Sequence, residues 1–428
     1  MTARGALRNI GSGSPNGAGE GERLRREHPR PKSHEQRGSR SMQSFQFYNP
    51  TRLIFGRGAV ERLPEFLGDI RRVLFLYGGG SIKRNGAYED VTRVLKRAGV
   101  EWVEVSGVEP NPRVGTVRRA AAIAREARVE AVLAVGGGSV LDAAKGVAVA
   151  AVGEADIWDV VLGRATPEAA LPVYAVLTLA ATGSEMNKNS VLTNEATKEK
   201  YGWSSELVYP RASFLDPAYT LTVPKDQTVY GIVDMMSHIF EQYFHTVENT
   251  PVTDRLAEGL LRAIVEAAPK LVERLDDLAL RETILLAGTV ALNGTLSMGV
   301  QGDWATHNIE HAVSALFDIP HAAGLAILFP HWMRHVYRVR PERWANLATR
   351  VFGVDPAGKS VDDLALAAIE RLEAFWQGLG APARLREFGI TEADVEAIVE
   401  KSLARRGPFG HFMTLDADDV RAIVRAAL

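Results

Sequence analysis

Short apolar runs alternate with segments of helical period through the first half of the chain. Arg72–Tyr77 and Ala131–Val135 are almost wholly apolar, which is typical of strands buried on both faces of a parallel sheet. Glu101–Val105 alternates apolar with polar residues and predicts a further strand. Between these runs, Tyr88–Ala98 and Thr116–Ala127 repeat their apolar residues with the period of a helix. This alternation predicts βαβ units around a mostly parallel sheet.

The pattern becomes wholly helical after Pro224. The segments with a helical period are Asp226–Phe244, Asp254–Arg274, Leu278–Met298 and Leu364–Gly378. We therefore predict two domains. Residues 42–220 form an α/β domain with a mostly parallel, Rossmann-like sheet, and residues 221–428 form an all-α domain.

Residues 1–41 differ in composition from the rest of the chain. They are rich in Gly, Arg, Ser and Pro and contain almost no large apolar side chains. Such a segment cannot bury enough apolar surface to offset the entropy lost on ordering, so we predict a disordered extension. It also lacks the apolar stretch of a secretory signal peptide. Met42 is a natural beginning for the folded part.

The overall composition excludes several classes of protein and site. With 46% hydrophobic residues, 24% charged residues and a net charge of −2, the chain resembles an ordinary globular protein and has no basic character suited to nucleic acid or an anionic membrane. It contains no cysteine, which excludes disulfides, thiolate metal sites and cysteine nucleophiles. No apolar run reaches the ~18 residues of a membrane span. We expect a cytoplasmic protein that binds neither nucleic acid nor membrane.

Two glycine-rich turns follow predicted strands. The first contains Gly78, Gly79, Gly80 and Ser81, and the second contains Gly136, Gly137, Gly138 and Ser139. Glycine lets the backbone approach a phosphate, and the helix predicted after the second turn would offer free amides and a positive dipole end. Asp142 lies in the first turn of that helix, whereas Leu141 stands where the usual dinucleotide fingerprint has its third glycine. Either turn alone is as often a plain tight turn as a phosphate site. Together they predict a ligand across the carboxyl edge of the sheet.

Histidines and one aspartate recur at helical spacing in the second half. Asp234 and His238 are four residues apart, so a helix places both on one face. His307 and His311 have the same spacing. For an isolated pair, local pairing or simple burial is a more frequent role than metal binding. His321 follows fourteen residues after His307, which on one continuous helix is about 21 Å away.

A metal shared by His307 and His321 therefore requires a break in the helix. The segment Asp318–Pro320 supplies it, because proline cannot continue a helix and restricts the residue before it. His321 would then open the next helix. The spacing leaves open whether His311 or His321 completes the site. Imidazoles with one carboxylate and no sulfur suit Fe²⁺, Zn²⁺ or a neighbouring divalent ion.

These motifs together resemble those of the iron-containing, or group III, alcohol dehydrogenases. The resemblance is closest to the branch of NADPH-dependent butanol dehydrogenases and broad-specificity aldehyde reductases. The matching segments are Phe47–Arg52, Tyr77–Lys83, Glu109–Pro112, Gly136–Asp142, Leu177–Glu185, Leu215–Pro217, Gly231–Gln242 and Asp303–His321. They span nearly the whole chain from Met42, in order and at the family's spacing. The resemblance implies a dehydroquinate synthase-like two-domain fold, with a metal in the cleft between a dinucleotide-binding domain and a helical domain.

The resemblance also implies roles for single residues. The implied metal ligands are Asp234, His238, His307 and His321. His311 matches the family histidine near the nicotinamide and is our candidate for a proton relay, with simple positioning as the alternative. The pyrophosphate loop would be Gly136–Ser139. Thr178 and Thr182 match adenine- and ribose-side contacts, and Lys200 matches a lysine near the cofactor.

The first glycine turn favours NADP(H) over NAD(H). NAD-preferring members of the family often carry an acid at the position of Gly79, whereas here Gly79 and Ser81 leave room and donors for a 2′-phosphate. Lys83 and Arg84 are nearby cations, for which solvated surface is the more common role. We expect hydride transfer between NADP(H) and a short-chain aldehyde or primary alcohol, with one divalent metal ion (Fe²⁺ or Zn²⁺). We also expect a homodimer that pairs the edge segment Phe45–Ile54.

Three alternatives are weighed against this function. A glycerol dehydrogenase-like enzyme is the nearest, although it usually lacks the spacing seen in the carboxyl half. A dehydroquinate synthase-like lyase would need Lys and Arg around an anionic substrate, and few basic residues lie near the histidines in sequence. A non-catalytic nucleotide-binding scaffold is disfavoured by an open, carboxylate-containing site. Trp304, Trp203 and Phe240 are candidates for lining a substrate pocket, with core packing as the more common role of each.

Overall fold

The computed structural model describes residues 41–428. The predicted disordered extension, residues 1–41, lies outside the described residues except for Ser41. The described residues belong to one compact unit. Among them, no helix is both long enough and apolar enough to cross a bilayer.

Eight strands occur in the described part of the chain. They are β1 (Arg52–Phe55), β2 (Arg72–Tyr77), β3 (Glu101–Val105), β4 (Ala131–Gly136), β5 (Val173–Leu177), β6 (Asn189–Asn194), β7 (Glu199–Ser204) and β8 (Ala212–Leu215). Six form a parallel sheet in the order β1-β8-β5-β4-β2-β3. The other two, β6 and β7, pair as an antiparallel hairpin. The predicted α/β class with a mostly parallel sheet is confirmed.

Helices surround the sheet and then make up the carboxyl half. The first five are α1 (Pro64–Leu67), α2 (Ala87–Ala98), α3 (Val114–Glu126), α4 (Gly138–Ala150) and α5 (Ile157–Val161). The next nine are α6 (Lys225–Tyr243), α7 (Pro251–Glu273), α8 (Leu278–Ala291), α9 (Ala305–Phe317), α10 (His321–Val336), α11 (Pro341–Arg350), α12 (Val361–Leu379), α13 (Val395–Leu403) and α14 (Ala417–Ala426). No strand follows β8 in residues 216–428, so the helical carboxyl half is confirmed. The domain boundary at residues 220/221 stays a prediction.

The sheet is buried on both faces, which explains its nearly continuous apolar strands. In β2, Leu74 and Leu76 join the core formed with α3 and α4, while Val73 and Phe75 join the core on the opposite face with α2. This is the two-residue period of a strand covered on each side. Helix α4 is buried around almost its whole circumference, so its sequence carries few polar residues.

The two glycine turns lie side by side at the carboxyl edge of the sheet. β2 pairs directly with β4, and Tyr77 is in register with Val135. The chain passes from β2 to β3 on one side and returns to β4 on the other, so the strand order reverses between β2 and β4. In open parallel sheets, ligands bind in the crevice at such a switch point.

Candidate active site

The predicted break between His307 and His321 is confirmed. Helix α9 ends at Phe317, Asp318 has a left-handed backbone with φ 52°, and α10 begins at His321 immediately after Pro320. The break turns the chain back and leaves the His307 and His321 rings 5.3 Å apart.

The structure brings the four predicted ligands together. One possible ligand atom each from Asp234, His307 and His321 lies within 4.8 Å of the other two. His321 Nε2 is 3.7 Å from Asp234 Oδ1, and His238 Nε2 is 3.9 Å from the same oxygen. His238 lies beside the three-atom group, with its ring stacked 5.0 Å from that of His307. We refer to Asp234, His238, His307 and His321 as the metal cluster.

Several buried atoms of the metal cluster lack a protein partner. Asp234 Oδ1, His238 Nδ1 and His307 Nε2 are buried and make no hydrogen bond. Leaving a buried polar atom unpaired costs about 1–3 kcal/mol, so protein contacts alone do not satisfy this cluster. Imidazole nitrogens and a carboxylate oxygen are ligands that iron and zinc accept. The residues therefore fit a divalent cation.

Burial controls the charges of the metal cluster. It raises the pKa of Asp234 to about 7 and lowers the pKa values of His238 and His321 well below the usual histidine value. Each shift reflects the cost of a charge in an apolar environment. Neutral imidazoles keep a lone pair for a metal, and a bound cation would favour the ionised carboxylate.

Glu241 belongs to the site and was missed in the sequence. Its Oε1 lies 2.8 Å from His307 Nδ1 and accepts the backbone N–H of His307 at 3.1 Å, while Oε2 accepts the N–H of Trp304 at 2.6 Å. The carboxylate thus hydrogen-bonds Nδ1 of His307 and leaves Nε2 available to a metal ion. Residues that support metal ligands commonly act in this way. A signal existed, since Glu241 follows His238 by three residues and shares its helix face.

Lys200 and Glu310 meet beside His321. Glu310, also missed, hydrogen-bonds His321 Nδ1 and Ser314 Oγ. Lys200 Nζ is buried and lies 3.0 Å from Asn111 Oδ1, 3.4 Å from Glu310 Oε2 and 3.3 Å from His321 Nδ1. Lys200 thus extends from the β6–β7 hairpin to the histidines. Its predicted contact with the cofactor stays a prediction.

His311 lies outside the three-atom group. Its ring centroid is 5.5 Å from that of His321 and 6.3 Å from that of His307. The side chain is half-buried, and burial, with a further contribution from Lys200, lowers its pKa well below the usual value. His311 therefore borders the metal cluster, and one of its ring nitrogens also lies within 4.8 Å of possible ligand atoms of Glu310 and His321. Its catalytic role stays a prediction.

Of the three aromatic candidates, only one lies beside the metal cluster. The ring of Trp304 is 5.3 Å from that of His307, and its backbone is left-handed with φ 64°. Phe240 is fully buried in the helical core, and Trp203 is buried in the core on one face of the sheet. Phe240 and Trp203 thus pack in hydrophobic cores.

The second glycine turn is packed too closely to admit side chains. Gly136 ends β4, Gly137 caps α4 and Gly138 begins it. A Cβ at Gly138 would collide with the side chain of Thr182, and one at Gly136 would lie 2.6 Å from Val140. The first amides of α4 have no partner within the helix. The turn therefore presents bare backbone and a helix N-terminus, which suits an anionic ligand.

Three other predicted cofactor contacts lie in or beside this turn. Thr178 follows β5 and donates its N–H to Gly136 O at 3.0 Å. Thr182 Oγ1 accepts the N–H of Ser184 at 3.2 Å. Ser139 is half-buried in the first turn of α4. The structure places all three at the same end of the sheet.

Asp142 turns away from the glycine turn and towards the hairpin. Its Oδ1 accepts from Ser184 Oγ at 2.6 Å and its Oδ2 accepts the N–H of Val191 at 2.9 Å. Lys145 Nζ donates to Ser184 Oγ and to oxygens of residues 187–189. Burial raises the pKa of Asp142 and lowers that of Lys145 to about 8. Asp142 thus ties α4 to β6, and its predicted cofactor contact stays a prediction.

The first glycine turn is open. Its residues are Gly78, Gly79, Gly80 and Ser81, of which Gly79 and Ser81 are exposed. A Cβ at Gly79 would meet no atom within 4 Å. The Lys83 ammonium lies 4.8 Å and 5.4 Å from the ring centroids of Tyr88 and Tyr77. Space for a ribose or phosphate is therefore present, while Lys83 is engaged by aromatic rings.

The glycine turns and the metal cluster share neighbours. A Cβ at Gly231 would collide with the carbonyl oxygen of Ala180, so α6 packs directly on the loop after β5. Gly231 precedes Asp234 by three residues, and Thr182 of the same loop touches Gly138. One short loop therefore contacts both the second glycine turn and the helix of Asp234.

Family models cover almost the whole described chain. The model described as iron-containing alcohol dehydrogenase matches residues 50–217, and that of the carboxyl-terminal part of the Fe-containing alcohol dehydrogenase family matches residues 228–428. The chain belongs to the iron-containing alcohol dehydrogenase family. The resemblance identified in the sequence is thereby confirmed. Members of this family use NAD(P)H and a metal ion, usually iron.

Relatives within the iron-containing alcohol dehydrogenase family match over their full length. The probable NADH-dependent butanol dehydrogenase 1 of Bacillus subtilis is 57% identical, over 90% of this chain and 100% of that protein. The NADPH-dependent aldehyde reductase YqhD of Escherichia coli is 36% identical over the same shares. The crystal structure of NADH-dependent butanol dehydrogenase A from Thermotoga maritima has a TM-score of 0.87 and 46% identity, covering 90% and 99%. The predicted fold is confirmed, whereas the relatives' names divide between the two coenzymes.

Proposed function

We propose that this chain is a metal-dependent alcohol dehydrogenase and aldehyde reductase that transfers hydride between NADP(H) and a short-chain aldehyde or primary alcohol. The observation that carries the proposal is the convergence of unpartnered buried ligand atoms beside a sheet edge with two glycine turns. Family membership supports the reaction class. The names of the relatives, butanol dehydrogenase and aldehyde reductase, support the substrate class.

The metal cluster would hold one divalent ion, Fe²⁺ or Zn²⁺. When bound, the ion would supply Lewis-acid polarisation of a carbonyl group and the reduced nicotinamide would supply the hydride. The chain fixes the geometry, because Glu241 holds the ring of His307 and the helix break orients His321. Burial of Asp234, His238 and His307 excludes water from most of the cluster and strengthens the electrostatic contacts there.

The sheet edge would bind the coenzyme. The amides that begin α4 suit the pyrophosphate. Glycine at Gly136 and Gly138 lets this turn pack against Val140 and Thr182, which fixes the position of those amides. Thr178 and Thr182 lie beside this turn, and the open space at Gly79 lies on the neighbouring strand. A ligand across both turns would lie near the loop that contacts the helix of Asp234.

His311 is proposed to pass a proton to or from the substrate oxygen. An imidazole can accept at one nitrogen while it donates at the other. We expect His311→Gln to lower kcat by about 10²-fold, the scale of general acid–base catalysis, with little change in KM for butanal. A positioning role would instead raise KM and leave kcat nearly unchanged.

NADH is the second candidate coenzyme. The relative with 57% identity is named for NADH, and the Lys83 ammonium is engaged by two aromatic rings. Against this stands Gly79, which offers no carboxylate to the ribose hydroxyls. The ratio of kcat/KM for NADPH and NADH with butanal tests the preference. A ratio above one supports NADP(H), and a ratio below one supports NADH.

A homodimer and a cytoplasmic location complete the proposal. Phe45, Phe47 and Tyr48, which precede edge strand β1, are 53%, 49% and 59% exposed, and such a segment suits pairing with a second copy. The lack of cysteine suits a reducing compartment. Light scattering distinguishes twice the chain mass of 46.6 kDa from a monomer.

Chelation tests the proposed reaction. NADPH oxidation with butanal is followed before chelation, after it and after return of Fe²⁺ or Zn²⁺, with glycerol and NAD⁺ as the comparison substrates. We expect metal-dependent turnover of butanal. Preference for glycerol would support the glycerol dehydrogenase alternative. Absence of turnover with any short aldehyde would support the alternative of a non-catalytic nucleotide-binding scaffold.

A further inference from the structure

Glu310 contacts a predicted metal ligand from outside the metal cluster. It lies three residues after His307, is fully buried, and hydrogen-bonds Nδ1 of His321. We propose that Glu310 is a positioning residue, which fixes the His321 imidazole in the tautomer that leaves Nε2 free for a metal ion. The inference rests on the proposed function in one respect, that His321 is a ligand.

The position of one proton decides whether His321 can bind a metal. With the proton on Nδ1, donated to Glu310, the lone pair is on Nε2, 3.7 Å from Asp234 Oδ1. Lys200 Nζ also lies 3.3 Å from Nδ1 and would donate to that nitrogen if it carried no proton. The proton would then sit on Nε2 and block it. A carboxylate at Nδ1 selects the first arrangement.

The surroundings of Glu310 keep its carboxylate in place. Ser314 Oγ donates to Oε1, and the Lys200 ammonium lies 3.4 Å from Oε2. Lys200 also donates to Asn111 Oδ1, and Asn111 Nδ2 donates to the Ile319 carbonyl at 3.3 Å, in the break before His321. Residues of the sheet half thus hold both the carboxylate and the chain segment that presents His321.

Removal of Glu310 has two consequences for a cation. The His321 ring loses its acceptor, and Lys200 loses its carboxylate partner next to the metal cluster. An unpaired buried charge is costly and here repels a second cation. Both consequences weaken metal binding, whereas a merely structural carboxylate would affect only the stability of the fold.

Metal affinity of the full chain tests the inference without turnover. Zn²⁺ dissociation constants are measured by competition with a chromophoric chelator, and the visible spectrum of bound Co²⁺ reports the ligand geometry. The variants are Glu310→Ala, Glu310→Gln and the control Glu258→Gln. Glu258 is also a buried carboxylate, and its partners Tyr243 and Arg350 lie outside the metal cluster.

We expect Glu310→Ala to weaken Zn²⁺ binding by about 10- to 100-fold, the usual effect of a lost supporting partner, and to change the Co²⁺ spectrum. Glu310→Gln keeps an oxygen acceptor for Nδ1 of His321, so we expect it to lose less Zn²⁺ affinity than Glu310→Ala. The double variant Glu310→Gln with Lys200→Met should recover Zn²⁺ affinity, because it also removes the ammonium that has lost its carboxylate partner. Glu258→Gln keeps the wild-type dissociation constant even though its fold is less stable. The glutamine side chain has nearly the size and shape of glutamate, so Glu310→Gln provides the Zn²⁺ and Co²⁺ measurements if Glu310→Ala does not fold.

Wild-type affinity and spectrum in both Glu310 variants would overturn the inference. So would an equal loss in Glu258→Gln, since any buried carboxylate would then have the same effect. His321→Ala separates this failure from a failure of the proposed function. If His321→Ala binds Zn²⁺ as tightly as the wild type, His321 is not a ligand and the proposed function itself fails.

Discussion

The two halves of the candidate site are built in opposite ways. Gly136 and Gly138 must lack side chains, because neighbouring side chains occupy the space where a Cβ would lie. The metal cluster, by contrast, consists of buried polar side chains, some of whose atoms have no hydrogen-bond partner. Gly136 and Gly138 therefore tolerate no added side chain, and the metal cluster tolerates no loss of one. Substitutions in each half should fail in different measurements.

The largest effect is expected from His321→Ala. Loss of a ligand removes the Lewis acid, which contributes several kcal/mol to such reactions, so aldehyde turnover should fall by about 10³-fold together with metal content. Coenzyme affinity should stay near the wild-type value. Elemental analysis, steady-state kinetics and NADPH fluorescence titration measure the three quantities. The control is His331→Ala, a half-buried histidine of the same helix outside the cluster, and intact metal content in His321→Ala would contradict the account.

Gly138→Ala is the matching test of the glycine half. The added Cβ collides with Thr182, so we expect about 1–3 kcal/mol lower unfolding free energy and weaker coenzyme binding, with unchanged metal content. Gly259→Ala is the control, because this exposed glycine of α7 has no atom within 4 Å of an added Cβ and should gain about 0.5–1 kcal/mol. Denaturant unfolding and fluorescence titration check both variants. Equal behaviour of the two would show that close packing at Gly138 does not matter.

The helical half also depends on an ionised carboxylate whose contribution to stability is lost in acid. Burial alone would raise the pKa of Asp254, but hydrogen bonds from His245 and Arg343 hold it well below its usual range. Such a carboxylate stabilises the fold above its unfolded pKa of about 3.9, and this contribution is lost as pH falls below about 5. We expect Asp254→Asn to lower the unfolding free energy at pH 7 by about 1–3 kcal/mol and to flatten its decline in acid. Parallel acid declines for variant and wild type would exclude this contribution.

The smallest effect is expected from Gly79→Asp, which adds a carboxylate where the turn is open. Repulsion of the 2′-phosphate should lower kcat/KM for NADPH by about tenfold, while NADH serves as the internal control and should change little. Competition kinetics with both coenzymes measure the ratio. An equal loss with both coenzymes would place the ribose away from Gly79.

The sequence predicted the features that depend on local chemistry. Apolar runs located β2 and β4, and glycine located the turns after them. Proline after Asp318 predicted the helix break, although spacing alone left His311 and His321 equivalent. The family resemblance, rather than the pattern, separated those two histidines. The boundary between the domains at residues 220/221 stays a prediction.

What the sequence did not reveal depends on partners brought from other elements. Glu241 lies on α6 and supports His307 on α9, and Glu310 supports a histidine on the following helix. Only spacing sets the two carboxylates apart in the sequence, since Glu241 follows His238 and Glu310 follows His307 by three residues. The β6–β7 hairpin was missed for a similar reason, since its strands are largely polar and β6 is fixed by Asp142 of α4.

Stepwise addition of metal to metal-free protein tests most directly whether one bound metal ion is required for turnover. Metal-free protein receives Fe²⁺ or Zn²⁺ in small steps, and NAD(P)H-dependent reduction of butanal is measured at each step. We expect no turnover without metal, and a linear return of turnover that ends at one ion per chain. Turnover that persists in metal-free protein, or an end point unrelated to one ion per chain, would contradict it.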